Sequence, residues 1–191
     1  MRRRLTTLVL SLGLGVGLAG AAAAEPAKAP DVTDTSFVMA DGQRTLQQSV
    51  VIDAPVATLW KAFVDPAQFR RWNAPVVAID LRVGGMLEAT YDQAKAIGDP
   101  DNIKNRIITY LPERLLVFQN VQAPRALPNA DRFQRTVTVV QYEPLAAGRT
   151  RVTISCTGFA ADPASTQIYD FFQSGDAELL EKMKQVFETT P

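Results

Sequence analysis

The alternation of apolar and polar residues from residue 44 onward predicts a β-strand followed by two short helices. The segment RTLQQSVVIDAP alternates and then stops at Asp53 and Pro55, two residue types that commonly end strands. Asp65 and Pro66 separate the two helical segments, because Asp caps a helix and Pro suits its first turn. Each helix has one apolar face. The apolar residues at helical spacing are Val56, Leu59, Trp60 and Phe63 in the first helix, and Phe69 and Trp72 in the second.

Two alternating segments on either side of Gly84-Gly85 predict a β-hairpin. VVAIDLRV precedes the glycines and MLEATYD follows them. A two-residue turn is expected, since primed turns need the positive φ that glycine tolerates. A phosphate-binding loop would instead place a helix directly after the glycines. The segment after Gly85 has the pattern of a strand, so the glycines indicate a turn.

The rest of the chain predicts four more strands and one long helix. The strands are expected at residues 102–110, 114–121, 133–142 and 150–159, and two irregular loops at 92–102 and 122–132. Loops of this length are often functional lids. The helix is expected from Ala164 to Glu188, with Gly175 marking a bend or a close contact with the sheet. Its apolar stripe contains Ile168, Phe172, Leu179, Met183 and Val186, widened by Phe171, Leu180 and Phe187.

The first residues have the pattern of a cleaved export signal. Three arginines precede an apolar stretch, and Ala22-Ala23-Ala24 supplies the small residues that a signal peptidase reads. The stretch contains four glycines and is shorter than a membrane span, which needs about 20 residues. We therefore predict a signal peptide at 1–24, a poorly ordered leader at 25–43 and one domain at 44–188. The expected location is the periplasm or the exterior, with no stable membrane anchor after cleavage.

Composition excludes several classes of function. The chain contains no His, which rules out Ser-His-Asp and Cys-His catalysis and imidazole-based zinc sites. Its one Cys, Cys156, lies in a predicted strand and is expected to be buried. Residues 25–191 contain 17 basic and 20 acidic residues, a net charge of −3, with no basic run, which disfavours nucleic acid as a partner. No metal and no cofactor are predicted.

Several segments together resemble the helix-grip fold of the START/Bet v superfamily, also called SRPBCC. They are SVVIDAPVATLWKAFVDPAQFRRW, DLRVGG, IITYLPERLLVFQ and TRVTISCTGF, followed by the long helix. The sequence over about residues 46–188 is similar to the branch of activator-of-heat-shock-protein-ATPase homologues. The resemblance implies an α+β fold, in which a curved antiparallel sheet wraps a long C-terminal helix and two short helices follow the first strand. Family members often carry Gly-Trp in the last helix, whereas Asp176 follows Gly175 here, so that end of the cavity is expected to be more polar or more open.

The resemblance also implies a cavity between the sheet and the last helix, and this selects candidate ligand-binding residues. Trp72 is expected at the cavity rim and Glu88 on a strand, where a buried carboxylate would be costly unless paired. No residue is assigned a catalytic role. The remaining candidates are Tyr91, Tyr110 and Phe118 on strands, and Phe172, Leu179 and Met183 on the helix.

Three functions remain open at this point. The first is an exported protein that binds a hydrophobic or amphipathic small molecule or a lipid. The second is a cyclase- or hydrolase-type enzyme that uses Glu88, Tyr91 or Tyr110 as acid or base. The third is a protein-interaction module like the co-chaperone branch, although heat-shock ATPases of that kind are cytosolic and this chain is predicted to be exported. The sequence does not decide the oligomeric state.

Overall fold

The computed structural model describes residues 31–188, which form a curved antiparallel sheet against one long helix. The order of elements agrees with the predicted one from residue 44 onward. The strands are β1 (Thr33–Asp34), β2 (Phe37–Val38), β3 (Arg44–Ile52), β4 (Val76–Ile79), β5 (Met86–Thr90), β6 (Ile103–Leu111), β7 (Leu115–Gln122), β8 (Val137–Pro144) and β9 (Thr150–Phe159). The helices are α1 (Val56–Val64), α2 (Pro66–Trp72), α3 (Ala130–Phe133) and α4 (Pro163–Phe187), and Ala146–Gly148 forms a 3-10 turn.

The nine strands make one sheet in the order β1-β3-β9-β8-β7-β6-β5-β4, with β2 also paired to β3. All pairings are antiparallel. The helix α4 packs against β3 and β9 on the sheet and against α2 and α3. This arrangement confirms the predicted α+β helix-grip fold, with two short helices after β3 and the long helix last.

Aspartate caps start two of the helices where the sequence predicts them. The Asp65 carboxylate accepts hydrogen bonds from the backbone N–H groups of Ala67 and Gln68, at 2.7 and 3.4 Å, and Pro66 occupies the first turn of α2. The Asp162 carboxylate accepts the Ser165 N–H at 3.0 Å at the start of α4. Such caps satisfy backbone donors that have no partner within the helix.

The hairpin around Gly84-Gly85 is confirmed, but its predicted two-residue turn is wrong. β4 ends at Ile79, and residues 80–85 form the connection, closed by a hydrogen bond from Asp80 N to Met86 O of 2.8 Å. Gly84 has φ 79°, and a Cβ on Gly85 would lie 2.1 Å from Asp80 O. Glycine is therefore required at these two positions by positive φ and by a close backbone approach.

Two segments predicted to be irregular contain regular structure. Within the leader expected at 25–43, residues 31–43 contain β1 and β2, which pair with β3 and extend the edge of the sheet. Residues 25–30 and the predicted signal peptide lie outside the described residues. The short helix α3 falls within and just after the loop predicted at 122–132. In residues 31–188, no helix has the length and apolar character that crossing a bilayer requires.

Candidate functional site

The apolar core is divided into two clusters along α4. The N-terminal cluster surrounds the first half of the helix and the C-terminal cluster surrounds the second half. Residues 173–178 of α4 belong to neither cluster. From α4, the N-terminal cluster includes Ile168, Tyr169 and Phe172, and the C-terminal cluster includes Leu179, Leu180, Met183, Val186 and Phe187.

Asp176 lies in the middle of the buried face of α4, at the interruption between the clusters. It follows Tyr169 by seven residues and precedes Met183 by seven, a spacing that places all three on nearly the same side of a helix. Tyr169 and Met183 are both buried. Asp176 itself is half-buried, and beside it a Cβ on Gly175 would meet no atom within 4 Å. An acidic side chain thus interrupts the apolar face with which α4 packs on the sheet.

The electrostatics of Asp176 also indicate an interior position. Burial alone raises the pKa of its carboxyl from 3.8 to about 7, because the charged form loses hydration there. Its charge acts on two neighbouring groups. The pKa of Tyr91, the residue after β5, is raised by burial and then by Asp176, and the pKa of Cys156 on β9 is raised to about 12 by burial, with a smaller contribution from Asp176. Within residues 31–188, no cation or hydrogen-bond donor is paired with Asp176.

The interruption continues onto β3 of the sheet. Leu46 belongs to the N-terminal cluster and Val50 to the C-terminal cluster, and buried Gln48 lies between them. Gln48 Nε2 donates to Gln173 O at 2.9 Å, which fixes its amide orientation. Its Oε1 is buried and has no partner among the described residues. Buried acceptors are normally satisfied, so this oxygen has unused capacity for a donor.

A second unsatisfied acceptor lies on the inward face of β7. Asn120 is buried, and its Nδ2 donates to Lys104 O, Asn105 Oδ1 and Gln122 O at 2.9–3.2 Å. These bonds leave Asn120 Oδ1 without a partner in the described part of the chain. Leu116 and Phe118 precede it on the same face of β7 and pack into the C-terminal cluster.

Two predicted site residues lie elsewhere than expected. Trp72 is 1% exposed, and its Nε1 donates to Ala62 O at 2.8 Å between α1 and α2, so it is a core residue and not part of a cavity rim. Glu88 lies on the side of the sheet opposite the core, because its neighbours Leu87 and Ala89 point inward. There its Oε1 accepts hydrogen bonds from Gly98 N at 2.6 Å and from Asn102 Nδ2 at 2.8 Å. Glu88 therefore anchors the 92–102 loop.

The remaining strand candidates all lie on the inward side or at its margin. Tyr91 follows Ala89 by two residues and is 57% exposed, with its OH donating to Asn73 Oδ1 at 2.9 Å. Tyr110 packs on Trp60 with ring centroids 6.3 Å apart. Phe118 borders the C-terminal cluster. The pKa of Tyr91 is raised by burial and, to a smaller extent, by Asp176.

The helix candidates lie on the face of α4 that meets the sheet. Phe172 is half-buried and stacks on Phe133 of α3 with centroids 4.3 Å apart. Leu179 is half-buried beside the C-terminal cluster, and Met183 is fully buried within it. Phe172 and Leu179 flank Asp176, whereas Met183 is close-packed core.

The two loops predicted as lids are joined to each other. Asp101 Oδ1 accepts the Arg125 N–H at 2.7 Å, and Asp101 Oδ2 pairs with Lys95 at 2.7 Å. The hydrogen bond from Lys95 holds the pKa of Asp101 at about 2. Asn129 of the second loop also donates to Gln167 on α4 at 2.6 Å, so this loop connects the first loop to the helix.

A separate polar groove of about 610 Å³ follows the outward side chains of β3 and β9. Ser49, Arg151 and Thr153 contribute to its lining, together with Lys184 at the end of α4. None of the predicted site residues borders it. Asp176 is not among the residues that line this groove.

Sequence reasoning did not select Asp176 as a site residue, although the pattern contains the signal. Asp176 replaces the expected aromatic residue after Gly175, and it lies four residues after Phe172 and three before Leu179. These intervals place it on the apolar stripe. A charged residue in an apolar stripe departs from the local pattern, which makes Asp176 a candidate site residue.

The fold and the divided core describe a helix-grip domain, a class that commonly serves as a ligand-binding or interaction module. A family model described as Activator of Hsp90 ATPase homolog 1-like protein matches residues 53–188, well over half of the chain. The chain therefore belongs to this family. A search of the curated proteins found no match.

Solved structures share the fold at low sequence identity. Protein Ms6760 from Mycobacterium smegmatis is 23% identical with a TM-score of 0.60, over 84% of this chain and 99% of that one. The Aha1 dimer from Colwellia psychrerythraea is 14% identical with a TM-score of 0.60, over 75% and 96%. CalU16 from Micromonospora echinospora is 17% identical with a TM-score of 0.58, over 82% and 85%. These similarities concern the fold alone.

Proposed function

We propose that this protein binds an amphipathic small molecule between α4 and the sheet, at the interruption of the core around Asp176. The observation that carries the proposal is a half-buried carboxyl without a partner, in the described residues, between the two apolar clusters of a helix face that otherwise packs on the sheet. Apolar side chains border this position on both sides along the helix. A molecule with an apolar body and one polar group matches such a lining.

Asp176 is expected to cost stability, and such a cost would support a functional role. A polar group on a packing face destabilises a domain unless it is paired, and an apolar residue at this position would join the two clusters into one core. Residues that break the local hydrophobic pattern, as Asp176 does, are expected at functional sites. Gln48 and Asn120 add two buried acceptors that have no partner among residues 31–188.

An acid–base enzyme is the second candidate, and Asp176 is the observation that favours it. A carboxyl with a pKa of about 7 is suited to proton transfer near neutral pH. Glu88 is not suited to this role, because it lies on the other side of the sheet and holds a loop. Tyr91 is a candidate partner, because its pKa is raised by burial and, to a smaller extent, by Asp176.

The proposal also includes export of the protein after cleavage of its signal peptide. The basic, apolar and small-residue order of residues 1–24 supports cleavage and release into the periplasm or the exterior. A cytosolic heat-shock ATPase would then be out of reach. The proposed role is that of an exported carrier or receptor for a small molecule, without a membrane anchor after cleavage.

The proposal is tested with Nile red, an uncharged amphipathic dye, and two tryptophan variants of α4. Leu179→Trp adds bulk beside Asp176 and should abolish dye binding. Phe171→Trp is the matched control, since Phe171 is 57% exposed on the same helix. Fluorescence titration should show one saturable site in the wild type and in Phe171→Trp. No saturable binding in the wild type, or equal binding in both variants, would reject the proposed location.

A further inference from the structure

We propose that the loops at 92–102 and 122–132 form a single lid, which opens as one unit beside the N-terminal half of α4. The geometry that carries this inference is a series of polar contacts that join the two loops to each other and each loop to the rest of the domain. The joint opening is a property of the fold, whereas the use of the lid for ligand entry rests on the proposed binding function.

The two loops have few apolar contacts with the rest of the domain. No apolar residue within 92–102 or 122–132 is buried, and Ile97 is 45% exposed. Within these loops only Leu127 packs against a core cluster, and it is half-buried. Segments with few buried apolar contacts open locally at a lower free energy than the core does. The closed position of the loops therefore depends mainly on hydrogen bonds and ion pairs.

Asp101 connects the first loop to the second. Its Oδ1 accepts the backbone N–H of Arg125 at 2.7 Å, and its Oδ2 accepts a hydrogen bond from Lys95 Nζ at 2.7 Å within the first loop. A further connection comes from Gln122, whose Nε2 donates to Asn102 O at 2.8 Å. Movement of one loop away from the domain would therefore remove hydrogen-bond partners from the other.

Each loop also has a polar anchor on the rest of the domain. Glu88 of β5 accepts hydrogen bonds from Gly98 N and Asn102 Nδ2 in the first loop. Asn129 in the second loop donates to Gln167 Oε1 of α4 at 2.6 Å. The anchors lie on two different elements of the fold. If the loops open together, loss of either anchor loosens both loops, whereas independent loops would respond only to their own anchor.

The lid lies beside the part of α4 that precedes Asp176. The second loop contacts Gln167 through Asn129, and the loop continues into α3, where Phe133 stacks on Phe172. Phe172 and Asp176 are four residues apart and therefore adjacent on one face of the helix. Opening of the lid together with α3 would expose the Phe172 side of the proposed binding position.

Hydrogen exchange at one backbone amide in each loop tests the joint opening. The amides of Gly98 in the first loop and Leu127 in the second are both hydrogen-bonded in the closed lid. Gln167→Ala removes the anchor of the second loop from an exposed position of α4. It should accelerate exchange at Gly98 and Leu127 by similar factors, roughly two- to tenfold for the loss of one hydrogen bond. Asp170→Ala, at another exposed position of the same helix, should leave both rates unchanged.

The reciprocal variant is Glu88→Ala, which removes the anchor of the first loop and should accelerate exchange at Leu127 in the second. Amides of the β3–β9 ladder serve as the reference for global unfolding in all variants. Acceleration confined to the loop whose own anchor was removed, in either variant, would overturn the joint opening.

The rates of dye binding test whether the lid controls ligand entry. Gln167→Ala and Glu88→Ala increase the population of the open lid, so the association and dissociation rate constants of Nile red should both rise by the same factor, with an unchanged Kd. Unchanged dye kinetics despite faster exchange would overturn the role of the lid in entry and leave the proposed function standing. Absence of Nile red binding to the wild type would instead reject the proposed function, whereas the exchange rates would still decide whether the loops open together.

Discussion

The pH dependence of folding stability should change when Asp176 is replaced by Asn. In the folded protein burial raises the pKa of this carboxyl from 3.8 to about 7. The folded state therefore keeps a proton that the unfolded chain releases near pH 4. Because the folded state binds more protons between these two pH values, its stability falls as the pH rises from about 4 to about 7 and then levels off.

The size of the effect follows from the pKa change. One pKa unit corresponds to 1.36 kcal/mol, so the rise to about 7 gives a maximum near 4 kcal/mol. Asp176 is half-buried and keeps some accessible surface, which lowers the expected value to roughly 2–4 kcal/mol. Asp176→Asn should raise stability by about a quarter of this amount at pH 4.5 and by the full amount at pH 8.5.

Urea unfolding at a series of pH values measures the difference between the wild type and the variant, in which all other titrating groups cancel. Asp170→Asn is the matched control, because Asp170 is exposed on the same helix and its removal should give a difference that does not vary with pH. A wild-type minus Asp176→Asn difference that stays constant from pH 4.5 to 8.5 would show that Asp176 is hydrated, and the site described above would lose its basis.

Four further predictions concern other parts of the chain. Glu88→Ala should lower the free energy of unfolding by about 1–3 kcal/mol and accelerate hydrogen exchange at the Gly98 amide, because two hydrogen bonds to the 92–102 loop are lost. Glu88→Gln should retain part of this stability, and equal losses in the two variants would contradict the anchoring role. Gly175→Ala should stabilise the protein by about 1 kcal/mol in urea unfolding, since the added Cβ meets no atom, and a loss of stability would show that the sheet approaches the helix there. Cys156 is buried and its pKa is raised to about 12, so a thiol reagent at pH 8 should label it in denaturant but not in the native protein. Rapid labelling of the native protein would contradict this burial. N-terminal sequencing of the exported protein should begin at or within a few residues of Glu25, and an intact Met1 on membrane-bound protein would refute signal cleavage.

The regular elements were predictable because periodicity is a local property of the sequence. The order of strands and helices from residue 44 apart from α3, the caps at Asp65 and Asp162, and the inward stripe of α4 apart from exposed Phe171 follow from the spacing of apolar residues and from capping preferences. The resemblance to the helix-grip fold then supplied the arrangement of these elements in space.

Features that depend on distant contacts were not predictable in the same way. The 80–85 connection is fixed by hydrogen bonds between Gly84 N and Ile107 O, and between Ile107 N and Gly85 O, at 2.8 and 2.9 Å. β6, which supplies Ile107, lies more than 15 residues away, and the glycine pair alone therefore suggested a shorter turn. The short strands β1 and β2 likewise form only because β3 is present as a partner.

The site was only partly predictable because alternation does not specify which face of a strand is the inner one. Glu88 and Tyr91 lie on opposite faces, and the sequence treated both as candidates. Trp72 was expected at a rim, but the angle between α1 and α2 buries its ring against Phe63, with centroids 4.8 Å apart. Asp176 was noted as a departure from the family pattern, and its importance follows from the interruption of the core on both sides of it.

Native mass spectrometry of the protein purified from the cells that make it tests the central claim most directly. If a small molecule is bound between α4 and the sheet, part of the wild-type protein should carry extra mass that gentle activation releases as one species. Leu179→Trp produced in the same cells should carry none, and Phe171→Trp should carry the same mass as the wild type. A wild-type protein found only at its polypeptide mass, together with a failure to bind Nile red, would contradict the account of this domain as a small-molecule binding protein.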